Sequence, residues 1–303
     1  MGENPVSLPL IGTVDPEAPF TKIRKLRVDQ LPYIAKAIRQ KIIDVHRGHI
    51  APSLGATDII VAACYAFDFD HDVFILDVGH QSYALKLLTG RSIDDIRIYG
   101  GTAPFPTRGE SKYDILTEGH AGSAIAQSLG VAIARDYKRD NFNIVVLIGD
   151  GGLTTGEALE AMNQMGQLRK RVIVILNENS YSISPATGAI SERLSELRLN
   201  PLYTDTKLAA RDILQYLPGG NLIEETVKGV KVRVVPNGIA PFFEGLNFTY
   251  IGRFSGHDIP AMVRIFDACR EYVYDKPILI HLVTKKGKGY EAAEADPVGF
   301  HGI

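Results

Sequence analysis

The chain has 303 residues, 45% of them hydrophobic and 22% charged, with a formal net charge of -2. That is ample apolar material for a sizeable core, and there is no basic surplus to bind nucleic acid or an anionic membrane. No apolar run reaches the roughly 18 residues that a membrane helix requires. The opening MGENPVSLPLIG lacks a basic-then-apolar leader, and Val6 stands where a myristoylation signal needs a hydroxyl residue. Cys64 and Cys269 are far apart, each in an apolar stretch, and read as reduced core residues. The expectation is a soluble cytoplasmic protein.

Residues 1–20 carry four prolines and little periodicity, which predicts an extended arm ahead of one domain over 21–303. Asp29 is placed to cap a helix whose apolar positions are Leu31, Ile34, Ile38, Ile42 and Val45. A second helix is predicted over 56–67, a buried strand over 72–77 and a helix over 81–88. Glycines and prolines make 98–114 a loop. A helix over 122–137, a strand over 143–149, a helix over 155–168 and a strand over 172–177 follow. Residues 185–245 read as an irregular insertion with helices near 189–199, 207–217 and 221–230. The chain closes with a strand over 248–252, a helix over 259–273, a strand over 277–284 and a loop-like end. Apolar strands alternating with helices predict an α/β fold, a parallel sheet covered on both faces.

Strand 143–149, helix 155–168 and strand 172–177 form one βαβ unit, so both strands end at the same edge of the sheet. Asp150 and Asn179 each fall just past a strand end. Were the strands neighbours, about 4.8 Å apart, a carboxylate and an amide oxygen could meet on one hard cation. Few oxygen ligands suit Mg²⁺, which shares itself with phosphates. Gly149, Gly151 and Gly152 let the backbone turn and approach a ligand, and the helix after them offers free N–H groups to an anion. The stretch reads as a cradle for magnesium and a diphosphate at the carboxyl edge of a sheet.

Gly149-Asp150-Gly151 followed by Asn179 resembles the signature of thiamine-diphosphate enzymes. The surrounding segments are similar to the 1-deoxy-D-xylulose-5-phosphate synthase family of the transketolase-like group. They include DVGHQSYALKLLTGR, PFPTRGESKYD, GHAGSAIAQSLGVAIARD, ILNENSYSIS and TKKGKGYEAAEADPVGFH, in the family's order over nearly the whole chain. The resemblance implies the thiamine-diphosphate fold and two cofactors, thiamine diphosphate and Mg²⁺. It implies that Asp150, Asn179 and the carbonyl of Tyr181 hold the metal, with Asn179 also on the cofactor side. Gly151 and Gly152 would lie against the diphosphate, and His80 would contact the diphosphate or thiazolium. Gly119, His120 and Ala121 match a cofactor loop in which Ala121 replaces the usual serine, and Lys288 and Tyr290 match a second.

His49 and His301 resemble active-site histidines of the family, placed with His80 to move protons. His46, His71 and His281 match no motif and read as structural, and His257 in SGHD matches a motif of unassigned role. The implied reaction cleaves a keto donor, by loss of carbon dioxide from a 2-oxo acid or release of an aldehyde, and adds the fragment to an acceptor aldehyde. Family chains are about twice this length, their second domain supplying the glutamate that engages the aminopyrimidine. The expectation is therefore one subunit of a split synthase that dimerises and joins a separate pyrimidine-domain subunit in a heterotetramer. A split transketolase and a non-catalytic cofactor-binding module are the alternatives.

Overall fold

The structure is a computed structural model that describes residues 19–179, 181, 187–196, 239–271 and 275–303. The predicted arm, apart from its last two residues, and the helices over 207–217 and 221–230 lie outside the described residues. In chain order the elements are α1 (Pro19–Arg24), α2 (Leu31–Val45), α3 (Ile50–Ala66), β1 (Val73–Leu76), α4 (Tyr83–Leu88) and α5 (Ser123–Lys138). Then come β2 (Ile144–Gly149), α6 (Asp150–Leu153), α7 (Gly156–Gln167), β3 (Ile173–Glu178) and α8 (Ala189–Glu196). The last are α9 (Ala240–Gly245), β4 (Thr249–Ser255), α10 (Ile259–Glu271), β5 (Ile278–Val283) and α11 (Glu291–Ala295).

Among the described residues five strands form one sheet in the order β1-β2-β3-β5-β4, with parallel pairings throughout. Side chains of a strand alternate between faces. Val145, Leu147, Ile173 and Ile175 enter one core with α2, α3 and α10. Val146, Ile148, Val174 and Leu176 enter the other with α5, α7 and Phe243 of α9. Burial on both faces is why the strands read as unbroken apolar runs.

Some expectations are corrected. Asp29 does not cap α2: it lies in a 3₁₀ turn over Val28–Gln30, its carboxylate pairs with Arg27, and the cap residue is Gln30. α3 begins at Ile50, six residues before the predicted start. Pro52 falls in the first turn, where a missing N–H costs nothing, and nearly every residue of α3 is buried, leaving no amphipathic stripe to detect. The loop-like end contains α11. Cys64 and Cys269 are buried and free, as expected. Among the described residues, no helix is long and apolar enough to cross a membrane.

Candidate active site

All five strands point their carboxyl ends at one edge, and each delivers part of the candidate site. Asp150 follows β2 and Asn179 follows β3, and the two strands are direct neighbours. The Asn179 N–H donates to Asp150 Oδ2 at 3.2 Å, and the Gly151 N–H donates to Asp150 Oδ1 at 2.9 Å. The Tyr181 N–H donates to Asn179 Oδ1 at 3.0 Å. The three residues expected to share a metal are thus joined by hydrogen bonds at one spot, with Asp150 and Asn179 buried.

Beyond β1 the chain turns sharply through Val78 and Gly79, both at positive φ. A Cβ on Gly79 would stand 2.3 Å from Pro106 Cδ, so only glycine lets loop 104–114 close over this turn. The turn swings His80 toward His49, the cap residue of α3, and toward His301 near the end of the chain. The three ring centroids form a triangle with sides of 5.6, 5.5 and 5.6 Å. His49 stands at the start of α3, a helix predicted to begin only at residue 56.

The charges around this triangle fix its chemistry. Arg97 Nη2 donates to His49 Nδ1 at 2.9 Å, and Lys286 Nζ lies 2.9 Å from His301 Nδ1. A guanidinium has no acceptor, so His49 carries its proton on Nε2. Burial, with Arg97, His301 and Lys286 adding repulsion, lowers His49 to about 4. Burial first and then the neighbouring cations lower His80 to about 3 and His301 to about 4. All three imidazoles are neutral near pH 7. Lys286 is itself buried beneath the Tyr181 ring at 5.7 Å, and burial lowers it to about 8 against the pull of Asp150.

The remaining expected residues sit around this centre. Gly119, His120 and Ala121 are exposed at the start of α5. Gly152 leaves room for a side chain of the protein itself, since a Cβ there would meet Asp77 Oδ2 at 2.1 Å. Asp77 is buried and accepts from the Gly122 N–H at 2.8 Å and the Ala124 N–H at 3.3 Å, which fastens the α5 start to β1. Tyr290 packs edge-on against Phe300 and His46. Lys288 lies near Glu294, away from the imidazoles. His281 is fully buried, bound to Glu178 at 2.8 Å and to the Tyr250 hydroxyl at 2.7 Å, a structural role as expected.

Sequence reasoning passed over Lys286, Arg97, Asp77 and Glu118. Glu118, one residue before the exposed loop, is 8% exposed and neither carboxylate oxygen has a hydrogen bond of good geometry. Burial and the Asp77 charge raise it to about 7, against the opposing effect of the nearby Gln127 side chain. Asp77 and Lys286 lie inside quoted motifs, but nothing in the motif spacing picks them from their neighbours.

A family model described as 1-deoxy-D-xylulose-5-phosphate synthase matches residues 17–284. The enzyme of that name from Carboxydothermus hydrogenoformans is 40% identical over 291 residues, covering 93% of this chain and 46% of the relative. That from Dictyoglomus turgidum is 41% identical over 290 residues, with the same two shares. The chain spans about half the length of the curated relatives it matches. Among solved structures, transketolase from Leishmania mexicana superposes with a TM-score of 0.61 at 18% identity, covering 87% of this chain and 37% of that one. Transketolase from Campylobacter jejuni gives 0.60 at 19% identity, covering 93% and 40%. At such identities the structures speak for the fold alone, which is the transketolase-like α/β fold. The family match carries the rest: this chain belongs to the 1-deoxy-D-xylulose-5-phosphate synthase family of transketolase-type transferases.

Proposed function

We propose that this chain forms the metal- and diphosphate-binding half of a thiamine-diphosphate-dependent carboligase of the synthase type, working with a pyrimidine-binding half on a partner subunit. The observation that carries the reading is the Asp150–Asn179–Tyr181 cluster at the ends of two neighbouring parallel strands, beside three neutral imidazoles. The residues fit the group. Among the described residues there is no cluster of three His, Cys, Asp or Glu side chains for a metal. One carboxylate and one amide suit instead a Mg²⁺ that completes its shell with diphosphate oxygens and water. The buried Nδ1 of His80 has no protein partner, as a ligand contact there requires.

In this reading Asp150, the Asn179 side chain and the Tyr181 carbonyl hold Mg²⁺, and backbone N–H groups at the start of α6 face the diphosphate. When bound, thiamine diphosphate supplies the nucleophilic carbon for addition to the carbonyl of a 2-oxo acid. The Lys286 ammonium adds positive charge where the diphosphate brings negative charge. His49 presents Nε2–H because Arg97 occupies its Nδ1, so it can donate a hydrogen bond to a developing oxyanion. His301 is held in the same way by Lys286. Neutral near pH 7, each ring can offer hydrogen-bonding nitrogens to the reacting group, while burial disfavours a full positive charge on it.

We further propose that the chain self-associates as a dimer, joins two partner subunits as a heterotetramer, and acts in the cytoplasm on a keto donor and an aldehyde acceptor. The test is calorimetric titration of the assembled enzyme with thiamine diphosphate and Mg²⁺. Asp150→Ala is expected to abolish the Mg²⁺-dependent heat, and unchanged binding would remove Asp150 from the site. Assays of the purified chain, alone and with its partner, then distinguish a split enzyme from a self-sufficient one: full turnover by the single chain refutes the split.

A further inference from the structure

The SGHD segment has no seat in the imidazole triangle, yet its histidine is among the most constrained in the protein. His257 follows β4. Its Nδ1 lies 2.8 Å from Asp58 Oδ2, and its Nε2 lies 2.8 Å from the backbone nitrogen of Lys285. A backbone N–H can only donate, so Nε2 is bare and the ring proton sits on Nδ1, where it is given to Asp58. Asp58 is buried in the middle of α3 and also accepts from Arg39 Nη2 at 2.5 Å, while Arg39 Nε donates to the Leu54 carbonyl at 3.2 Å. Burial pushes Asp58 up, but the hydrogen bonds from His257 and Arg39 outweigh it and hold the carboxyl below its ordinary value. The anion on one side of the ring thus dictates that the other side is an acceptor.

What that acceptor holds is the backbone N–H of Lys285, the residue just before Lys286. The rest of the segment is pinned on both sides of it. The Thr284 hydroxyl donates to Asn177 Oδ1 at 2.6 Å, and the Gly287 N–H donates to the Ala51 carbonyl at 2.9 Å. Between those anchors the Lys285 peptide sets the direction in which the next side chain leaves the backbone. Lys285 itself points away to Glu294, while Lys286 turns inward to His301 Nδ1.

We propose that His257 is a positioning residue: as the neutral Nδ1–H tautomer, braced by Asp58, it clamps the Lys285 peptide and so sets the Lys286 ammonium beside His301. Its effect on turnover rests on the function proposed above, but the clamp itself does not, and it is testable on the purified chain without cofactor or partner.

Two substitutions separate the two sides of the ring. His257→Asn keeps a donor for Asp58 and removes the acceptor for Lys285. His257→Gln reaches the Nε2 position with its amide oxygen, keeping that acceptor, and loses the donor to Asp58. The readout is histidine nitrogen NMR on uniformly ¹⁵N-labelled chain, the His301 and His257 signals being assigned by deletion in single variants. In the unaltered chain His257 is expected to show a protonated Nδ1, and His301 a hydrogen-bonded, unprotonated Nδ1. In His257→Asn the His301 signals shift to a mixture of tautomers, and its titration midpoint rises above about 4 as the Lys286 charge withdraws, burial still holding it below the ordinary value. In His257→Gln both stay near their unaltered values. A residue that served only to neutralise Asp58 gives the opposite order, Asn silent and Gln disruptive, and that order overturns the proposal. So does a protonated Nε2 on His257 in the unaltered chain, which needs no variant to fold. Failure of the carboligase reading leaves these spectra unchanged, whereas failure of the clamp leaves cofactor binding at Asp150 intact.

Discussion

Glu118→Gln is expected to stabilise the protein at neutral and alkaline pH. The carboxyl is raised from 4.5 to about 7 by burial and by the Asp77 charge. Unfolding releases it to its ordinary value, so between pH 4.5 and about 7 the folded chain binds the extra proton. The stability held at low pH is therefore lost as pH rises through about 7, where the folded chain must carry a buried carboxylate beside a second one. At 1.36 kcal/mol per pH unit, the rise is worth about 3 kcal/mol, and relaxation of nearby solvent reduces this to about 2 kcal/mol. An amide of the same shape avoids that cost, and the buried Gln127 Oε1, which lacks a partner, can accept from it. Urea unfolding of both chains across pH 5 to 8 measures the difference. We expect the variant to be more stable by about 2 kcal/mol at pH 8, with the gap closing toward pH 5. A gap that is absent at pH 8, or that does not change with pH, would show that Glu118 meets water or a cation and would refute the argument.

Other outcomes follow from the same contacts. His49→Ala and His301→Ala should each lower turnover of the assembled enzyme by about 10²- to 10⁴-fold while cofactor affinity changes little, measured by steady-state kinetics beside calorimetry. Arg97→Ala removes one cause of the depressed His49 value, so the NMR titration midpoint of His49 should rise above about 4. Lys86 is fully buried and paired with Glu110 at 2.5 Å, so Lys86→Met should cost about 3 kcal/mol in urea unfolding, Arg91 still serving Glu110. Gly152→Ala should destabilise the chain even without ligand, because its Cβ meets Asp77 rather than a bound group.

The parts of the protein that were legible in the sequence are those governed by period and order. The strands showed because burial on both faces makes them continuous, and the parallel strands of a single βαβ unit put Asp150 and Asn179 at one sheet edge, though only the structure makes those strands neighbours. The start of α3 was hidden for the converse reason: a helix buried on all sides has no stripe, and Pro52, Ser53 and Gly55 imitate a loop. Which lysine of KKGKGY turns inward was not legible either. Lys286 and Lys288 lie on the same short loop, and the choice between them is made by anchors at Asn177, His257 and Ala51, more than a hundred residues away for the first and last. Glu118 was invisible because Asp77 is brought near it only by the fold, where Glu118 and Pro106 pack against the Gly79 turn that follows β1.

The strand order also sets how the site comes apart. Asp150 and Asn179 hang from β2 and β3, whose hydrogen bonds are shared on both sides, while His80 follows β1 and His257 follows β4, the two edge strands among the described residues. Edge strands fray first in the native ensemble, and interior ones exchange their amides only with deeper opening. Thermal breathing is therefore expected to loosen His80 and His257 while Asp150 and Asn179 stay together. Amide deuterium uptake should rank the segments accordingly, β1 and β4 ahead of β2 and β3. Heat or mild denaturant should then displace His80 and His257 before it parts Asp150 from Asn179.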